Sequence, residues 1–173
     1  MSIYRILLLS CLSFQLSAAP KIAVLDFELK DMTLAPGIPS EIARTASIKP
    51  LLVNELVSAG YQVVDIPFSA QAQANSGVGY LFDHADAAAK LGKTYQADYV
   101  LVGRLHKPSF LFAYLMANLV KVSSEQWLGN FISESKGPNA ALTIKAVESL
   151  VVKIDKVLDK RYSPPPPKSG LSQ

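Results

Sequence analysis

Cysteine is almost missing from this 173-residue chain: Cys11 is the only one, and it sits in the opening apolar segment. Once that segment is removed, no thiol remains. Disulfides, thiolate catalysis, Cys-ligated zinc and iron–sulfur clusters are thereby excluded for the mature chain. Histidine is scarce as well, with two residues, His84 and His106. Charge of one sign is also lacking. Seventeen Lys and Arg stand against 14 Asp and Glu, a net +3 with no basic cluster, so nucleic acid is not an expected partner. After the opening segment, no apolar run reaches the roughly 20 residues that a membrane span requires. No Gly-x-Ser-x-Gly elbow occurs, although composition alone leaves a Ser-His-Asp triad open. Gly77-Val78-Gly79 lacks the third glycine and the helix start of a phosphate-binding loop. Neither a cofactor nor a catalytic group is expected.

What is present begins with an export signal. Arg5 forms a short positive region, Ile6 to Leu16 an apolar one, and Ser17-Ala18-Ala19 a small-residue cleavage site. Leu8-Leu9-Ser10-Cys11 offers a competing reading as a lipobox with Cys11 lipidated. That reading leaves an apolar segment of only Ile6 to Leu9, short of the roughly 7–15 residues signals use, so the cleaved signal is preferred. Residues 1–19 are thus expected to leave, placing the protein in the bacterial periplasm or outside the cell. About 150 residues remain, enough for one domain with its own core, assigned here to 20–161. The end, 162–173, carries Pro164-Pro165-Pro166-Pro167, which favours an extended rod and reads as a disordered tail or a docking spacer.

Between the ends the patterns alternate. Lys21 to Leu29 reads as a nearly continuous apolar strand, as buried parallel strands do. A helix is expected from a Ser40 cap to Ala59, stopped at Gly60 and kinked or divided near Lys49 by Pro50. Tyr61 to Ile66 reads as a strand and Ser69 to Gly79 as a loop with at most one helical turn. His84 to Tyr95 reads as a helix capped by Asp83, and Ala97 to Leu105 as a third strand. This β-α-β-α-β order predicts parallel strands with right-handed crossovers. Phe110 to Val122 is apolar on every phase, and its Leu, Ala and Met content suits a helix. The short turn before it favours a hairpin strand, with Gln126 to Glu134 antiparallel beside it. Val147, Leu150, Val151, Ile154, Val157 and Leu158 mark the apolar stripe of a last helix, capped by Asn139. The expected fold is an α/β sandwich on a mixed sheet: the β-α-β-α-β unit, antiparallel hairpin strands and a C-terminal amphipathic helix.

Few residues invite a chemical role. Ligands of open α/β sheets sit beyond the carboxyl ends of parallel strands, where Asp26, Asp65 and Arg104 could gather as a ligand site. The alternative for Asp26 is architecture: a carboxylate that fixes the chain as it leaves the strand. In Asp83-His84-Ala85-Asp86 three successive positions point in different directions, so a metal is not expected. Phe110, Phe112, Tyr114 and Leu115 are core, or an interaction patch if one face is exposed. Trp127 is core or an interface anchor, with core preferred.

Lys21-Ile22-Ala23-Val24-Leu25-Asp26-Phe27 resembles the first strand of exported bacterial domains related to the curli-secretion lipoprotein and to the N-terminal domain of the Tol-system propeller protein. Ala97-Asp98-Tyr99-Val100-Leu101-Val102-Gly103 resembles a later strand of those domains. More closely, Gly103-Arg104-Leu105-His106-Lys107-Pro108-Ser109 is similar to the G-x-x-x-K-x-S segment of a secreted bacterial family of unknown function. Departures occur at Val122-Ser123-Ser124-Glu125, where the family turn carries Asp and Gly, and at Lys136-Gly137-Pro138-Asn139, where it carries R-G-N. The resemblance implies an envelope adaptor and not an enzyme. It implies an envelope-protein partner, with a quinoprotein alcohol-oxidation system as one candidate, and leaves a homo-oligomer open. The related folds repeat Asp-Phe without a shared reaction, which favours architecture for Asp26.

Overall fold

The computed structural model describes residues 19–137 and 139–158. The expected signal up to Ala18, Cys11 and the proline-rich tail lie outside the described residues. Six strands form one mixed sheet in the order β3-β1-β4-β5-β6, with β2 also paired to β4. They are β1 (Lys21–Val24), β2 (Glu28–Asp31), β3 (Gln62–Val64), β4 (Tyr99–Lys107), β5 (Phe112–Lys121) and β6 (Gln126–Lys136). The helices are α1 (Pro39–Ser58), α2 (Phe68–Ala74), α3 (Tyr80–Asp83), α4 (Ala85–Thr94) and α5 (Ala140–Val157). β1, β2 and β3 are parallel to their neighbours, while β4-β5-β6 is an antiparallel meander. None of the described helices is long and apolar enough to cross a membrane.

Both faces of the sheet are covered. α1 and α5 lie on one face, where Ile48, Leu52, Leu56, Val147, Leu150 and Ile154 meet Ile22, Val24, Leu101, Leu105, Leu115 and Leu119. α3 and α4 lie on the other, where Leu81, Phe82, Ala88 and Leu91 meet Ala23, Leu25, Val100, Val102 and Val120. β4 is the central strand. Its odd residues face α1 and α5 and its even residues face α3 and α4, the period of two expected of a strand.

The expected single strand from Lys21 to Leu29 is two. Val24 pairs with Leu101 and Glu28 with Arg104, so three residues, Leu25 to Phe27, span the two residues Val102 and Gly103. One extra residue in one strand is a bulge, and it reverses which side chains face which layer. Ile22 and Val24 point toward α1 and α5, and after the bulge so does Phe27. Without the extra residue Phe27 would point the other way. The residue displaced is Asp26. Its N–H donates to Oε1 of Gln71 at 2.8 Å, and its carbonyl accepts from Nε2 of Gln71 at 2.9 Å. The Gln71 amide thus takes the place of a neighbouring strand's main chain.

Other local differences have physical causes. α1 is one continuous helix despite Pro50, with Ile38 at its cap and Pro39 in its first turn, where a missing N–H costs nothing. A seven-residue helix, α2, starts at Phe68 and runs into the Ser69–Gly79 stretch, carrying Gln71 to Asp26. Asp83 ends α3 instead of capping α4, and His84 occupies the cap position. The Phe110–Val122 segment is a strand from Phe112 onward, because antiparallel partners lie on both sides. On α5, Val157 is exposed and Asp155 is buried, its carboxylate accepting from the Tyr61 hydroxyl at 2.5 Å.

Candidate functional site

Three groups of charged residues tie the layers to the sheet. In the first, the Lys49 ammonium of α1 lies 3.0 Å from the Asp26 carboxylate and 3.7 Å from that of Asp65. In the second, Nε of Arg104 donates to Oε1 of Glu28 at 2.5 Å, and the guanidinium lies 3.8 Å above the Phe82 ring and 3.8 Å from the Asp83 carboxylate. Gly79, at φ +82°, faces the same guanidinium: a Cβ there would sit 2.7 Å from it. Asp26, Asp65 and Arg104 therefore do not converge on one site. Asp26 and Asp65 share Lys49, whereas Arg104 lies farther along β4 and fastens α3 to β2.

The third group is buried, and sequence reasoning missed it. Lys107, Glu41 and Arg44 are almost inaccessible to solvent, as are Ser135 and Thr143. The Glu41 carboxylate lies 3.0 Å from the Lys107 ammonium and 3.2 Å from Arg44. Arg44 also donates to the Thr143 hydroxyl at 3.1 Å and to the Ser135 hydroxyl at 2.6 Å. One knot thus joins α1, β4, β6 and α5. The sequence did hold a signal. Lys107 shares the phase of Leu101 and Leu105, and Glu41, Thr45, Ile48, Leu52 and Leu56 form one helical stripe. A lysine and a glutamate on facing buried stripes must meet, because neither is buried unpaired.

These contacts account for the Gly-x-x-x-Lys-x-Ser segment. Gly103 is where Phe27 crosses the strand: a Cβ would fall 2.2 Å from the ring. Lys107 meets Glu41, and the Ser109 hydroxyl accepts from the Phe112 N–H at 3.3 Å, shaping the turn. All three residues have structural partners.

The main-chain and carboxylate parts of Asp26 are separable. Replacing Gln71 with Ala strands both main-chain groups of Asp26, and is expected to cost about 1–3 kcal/mol in urea unfolding. Asp26→Asn breaks only a partly exposed ion pair, and is expected to cost less than about 1 kcal/mol.

Two groups have displaced proton affinities. Burial alone would raise the Asp31 carboxyl. Hydrogen bonds from Thr33 and Gly37 and the charge of Lys107 outweigh that and hold it below its usual value. Burial, with Lys30 and Arg104 nearby, lowers the affinity of His106, whose Nδ1 is buried without a hydrogen-bond partner. The folded state therefore prefers neutral His106. The resulting stability is complete above the unfolded value near pH 6.5, and is lost as pH falls from there toward the lower folded value. Melting temperature should decline as pH falls below about 6.5, and His106→Asn should flatten that decline.

The apolar candidates divide. Leu115 is fully buried in the α1–α5 core, the first of the two readings of this run; its phase on β5 points inward, so it has no part in an interface patch. Trp127 lies at the surface of β6, 40% exposed, and not in the core as preferred. A bulge beside it, between Leu119 and Val120, interrupts the regular pairing. Tyr114 is half-buried, while Phe110 and Phe112 are exposed. Phe110 and Leu111 are 62% and 72% exposed, and Met32 and Leu34 on the loop after β2 are 63% and 97% exposed. The Met32 N–H donates to the Lys107 carbonyl at 2.9 Å, which sets that loop beside the β4–β5 turn. Together they make an apolar end to the sheet.

Comparison with known proteins follows from this architecture. Residues 20–154 match the model of the DUF3280 family, described as a protein of unknown function (DUF2380), and the chain belongs to that family. No curated protein matches. Among solved structures, the hypothetical protein CT253 from Chlamydia trachomatis is similar at 12% identity and a TM-score of 0.55, over 82% of this chain and 99% of that one. A PelC dodecamer from Paraburkholderia phytofirmans gives 18% identity and a TM-score of 0.51, over 82% and 89%. TolB from Acinetobacter baumannii gives 17% identity and a TM-score of 0.50, over 82% of this chain and 29% of that one. These likenesses show the fold.

Proposed function

We propose that this protein is a non-catalytic accessory or adaptor of the bacterial cell envelope, exported to the periplasm, where it binds another envelope protein. The observation that carries this reading is the apolar end of the sheet. Phe110 and Leu111 in the β4–β5 turn, Phe112 at the start of β5, and Met32 and Leu34 on the loop after β2 expose large side chains. A soluble domain seldom leaves such a group uncovered unless something docks there. The export signal supports the location. The ion pairs fit a non-catalytic reading, because Asp26, Asp65 and Arg104 are each held by a charged structural partner. A ligand site at Asp26 and Arg104 is not favoured, since the two are held apart by separate partners.

The test is recovery from gently solubilised envelope of the native host, using tagged protein. A specific envelope protein should accompany the wild type and be lost from Phe110→Glu with Leu111→Glu. A partner retained by that variant would move the interface elsewhere. Protein recovered alone would remove the adaptor reading.

A further inference from the structure

β6 is an edge strand eleven residues long, and no other described strand pairs with its outer side. The Ile132 carbonyl is turned outward, where it accepts a hydrogen bond from the Lys153 ammonium of α5. The period of two along the ladder turns the main-chain groups of Asn130 and Glu134 outward with it. An open edge of this length is a template for another strand. Lys153 stands where the N–H of an added strand would.

The surroundings say what kind of strand fits. Leu142, Lys145, Ser149 and Lys153 follow one stripe of α5 alongside β6. With Ser133, Glu134 and Lys136 they line a trough of about 320 Å³. Its lining holds three lysines and one glutamate. The trough begins where Lys136 pairs with Phe112, so it continues from the apolar end of the sheet.

We propose that the outer edge of β6 receives an extended, Asp- and Glu-rich segment of the partner protein. The segment adds as a strand, and its carboxylates lie on Lys136, Lys145 and Lys153. This rests on the adaptor reading and names the chemistry of its partner. On docking, the Lys153 ammonium exchanges the Ile132 carbonyl for a carboxylate, and the carbonyl receives a main-chain N–H. Other occupants fit less well. The chain's own residues 159–173 carry one acid, Asp159, against Lys160, Arg161 and Lys168. The β6 strand of a second copy offers Glu134 offset by Lys136, which does not answer three lysines.

The test is photo-crosslinking in the native host with full-length protein. A p-benzoylphenylalanine replaces Asn130 or Glu134 at the edge, or Leu111 at the apolar end. Edge adducts should map by mass spectrometry to an acidic segment of another protein. Lys145→Glu with Lys153→Glu should reduce them by about tenfold or more, which corresponds to about 1.4 kcal/mol. The neutral pair Lys145→Gln with Lys153→Gln should reduce them less, and keeps the test valid if the reversed pair folds poorly. Edge adducts to a second copy, to lipid or to a non-acidic segment would overturn the proposal, as would adducts indifferent to both lysine pairs. Adducts from Leu111 alone would overturn it and leave the adaptor reading standing. No adduct from any position would overturn both.

Discussion

Glu41→Gln should lower stability by about 3–5 kcal/mol, the range for removing one member of a buried ion pair. The amide keeps the shape of the carboxylate but not its charge. Lys107 and Arg44 are then two buried cations with no anion between them. Arg44 keeps the hydroxyls of Thr143 and Ser135, whereas Lys107 loses its ion-pair partner and keeps only the charge of Asp31, beyond ion-pair distance. At about 2–4 °C per kcal/mol for a chain of this size, the melting temperature should fall by about 6–20 °C. Adding Lys107→Met removes the stranded charge and should restore part of the loss, which makes the two substitutions strongly non-additive. Urea unfolding of the two single variants and the double variant measures this. Additive losses would mean that Glu41 and Lys107 do not act as a pair.

Gly103→Val should cost about 1–3 kcal/mol through overpacking. The ring of Phe27 lies where any side chain at position 103 would begin, with three of its atoms 2.2–2.5 Å from a Cβ. Phe27 cannot swing aside, because it is buried between β4 and the α1–α5 layer. Shortening the ring should therefore relieve the clash: Gly103→Val should cost less in a Phe27→Leu background than in the wild type. The same contact links the bulge to the Gly-x-x-x-Lys-x-Ser segment. Asp26 is the extra residue that lets Phe27 face Gly103.

Much of this architecture was legible in the sequence. The mixed sheet, the hairpin after β4 and the α5 stripe follow from apolar period and turn residues. The bulge was not legible, because the nearly continuous apolar run around Leu25-Asp26-Phe27 fits either register. Only the partner strand reveals that two residues oppose three. α2 was missed because Phe68–Ala74 has no buried residue to set a helical period. The Glu41–Lys107 contact needed two elements placed at once, although each residue lay on a visibly apolar phase. Trp127 was misplaced because a strand pattern identifies faces but not which strand is the edge. The gathering of Asp26, Asp65 and Arg104 failed for a related reason. All three lie toward strand ends, but Arg104 is several residues farther along a longer strand.

Charged residues hold the fold, and the apolar end of the sheet is the surface proposed to meet a partner. The measurement that tests this division most directly joins two readings on Phe110→Glu with Leu111→Glu: its melting temperature, and the envelope protein recovered with it. The expected result is a melting temperature within about 2 °C of the wild type, as for surface changes of about 0.5 kcal/mol, together with loss of the partner. A variant that unfolds, or one that keeps its partner undiminished, would contradict it.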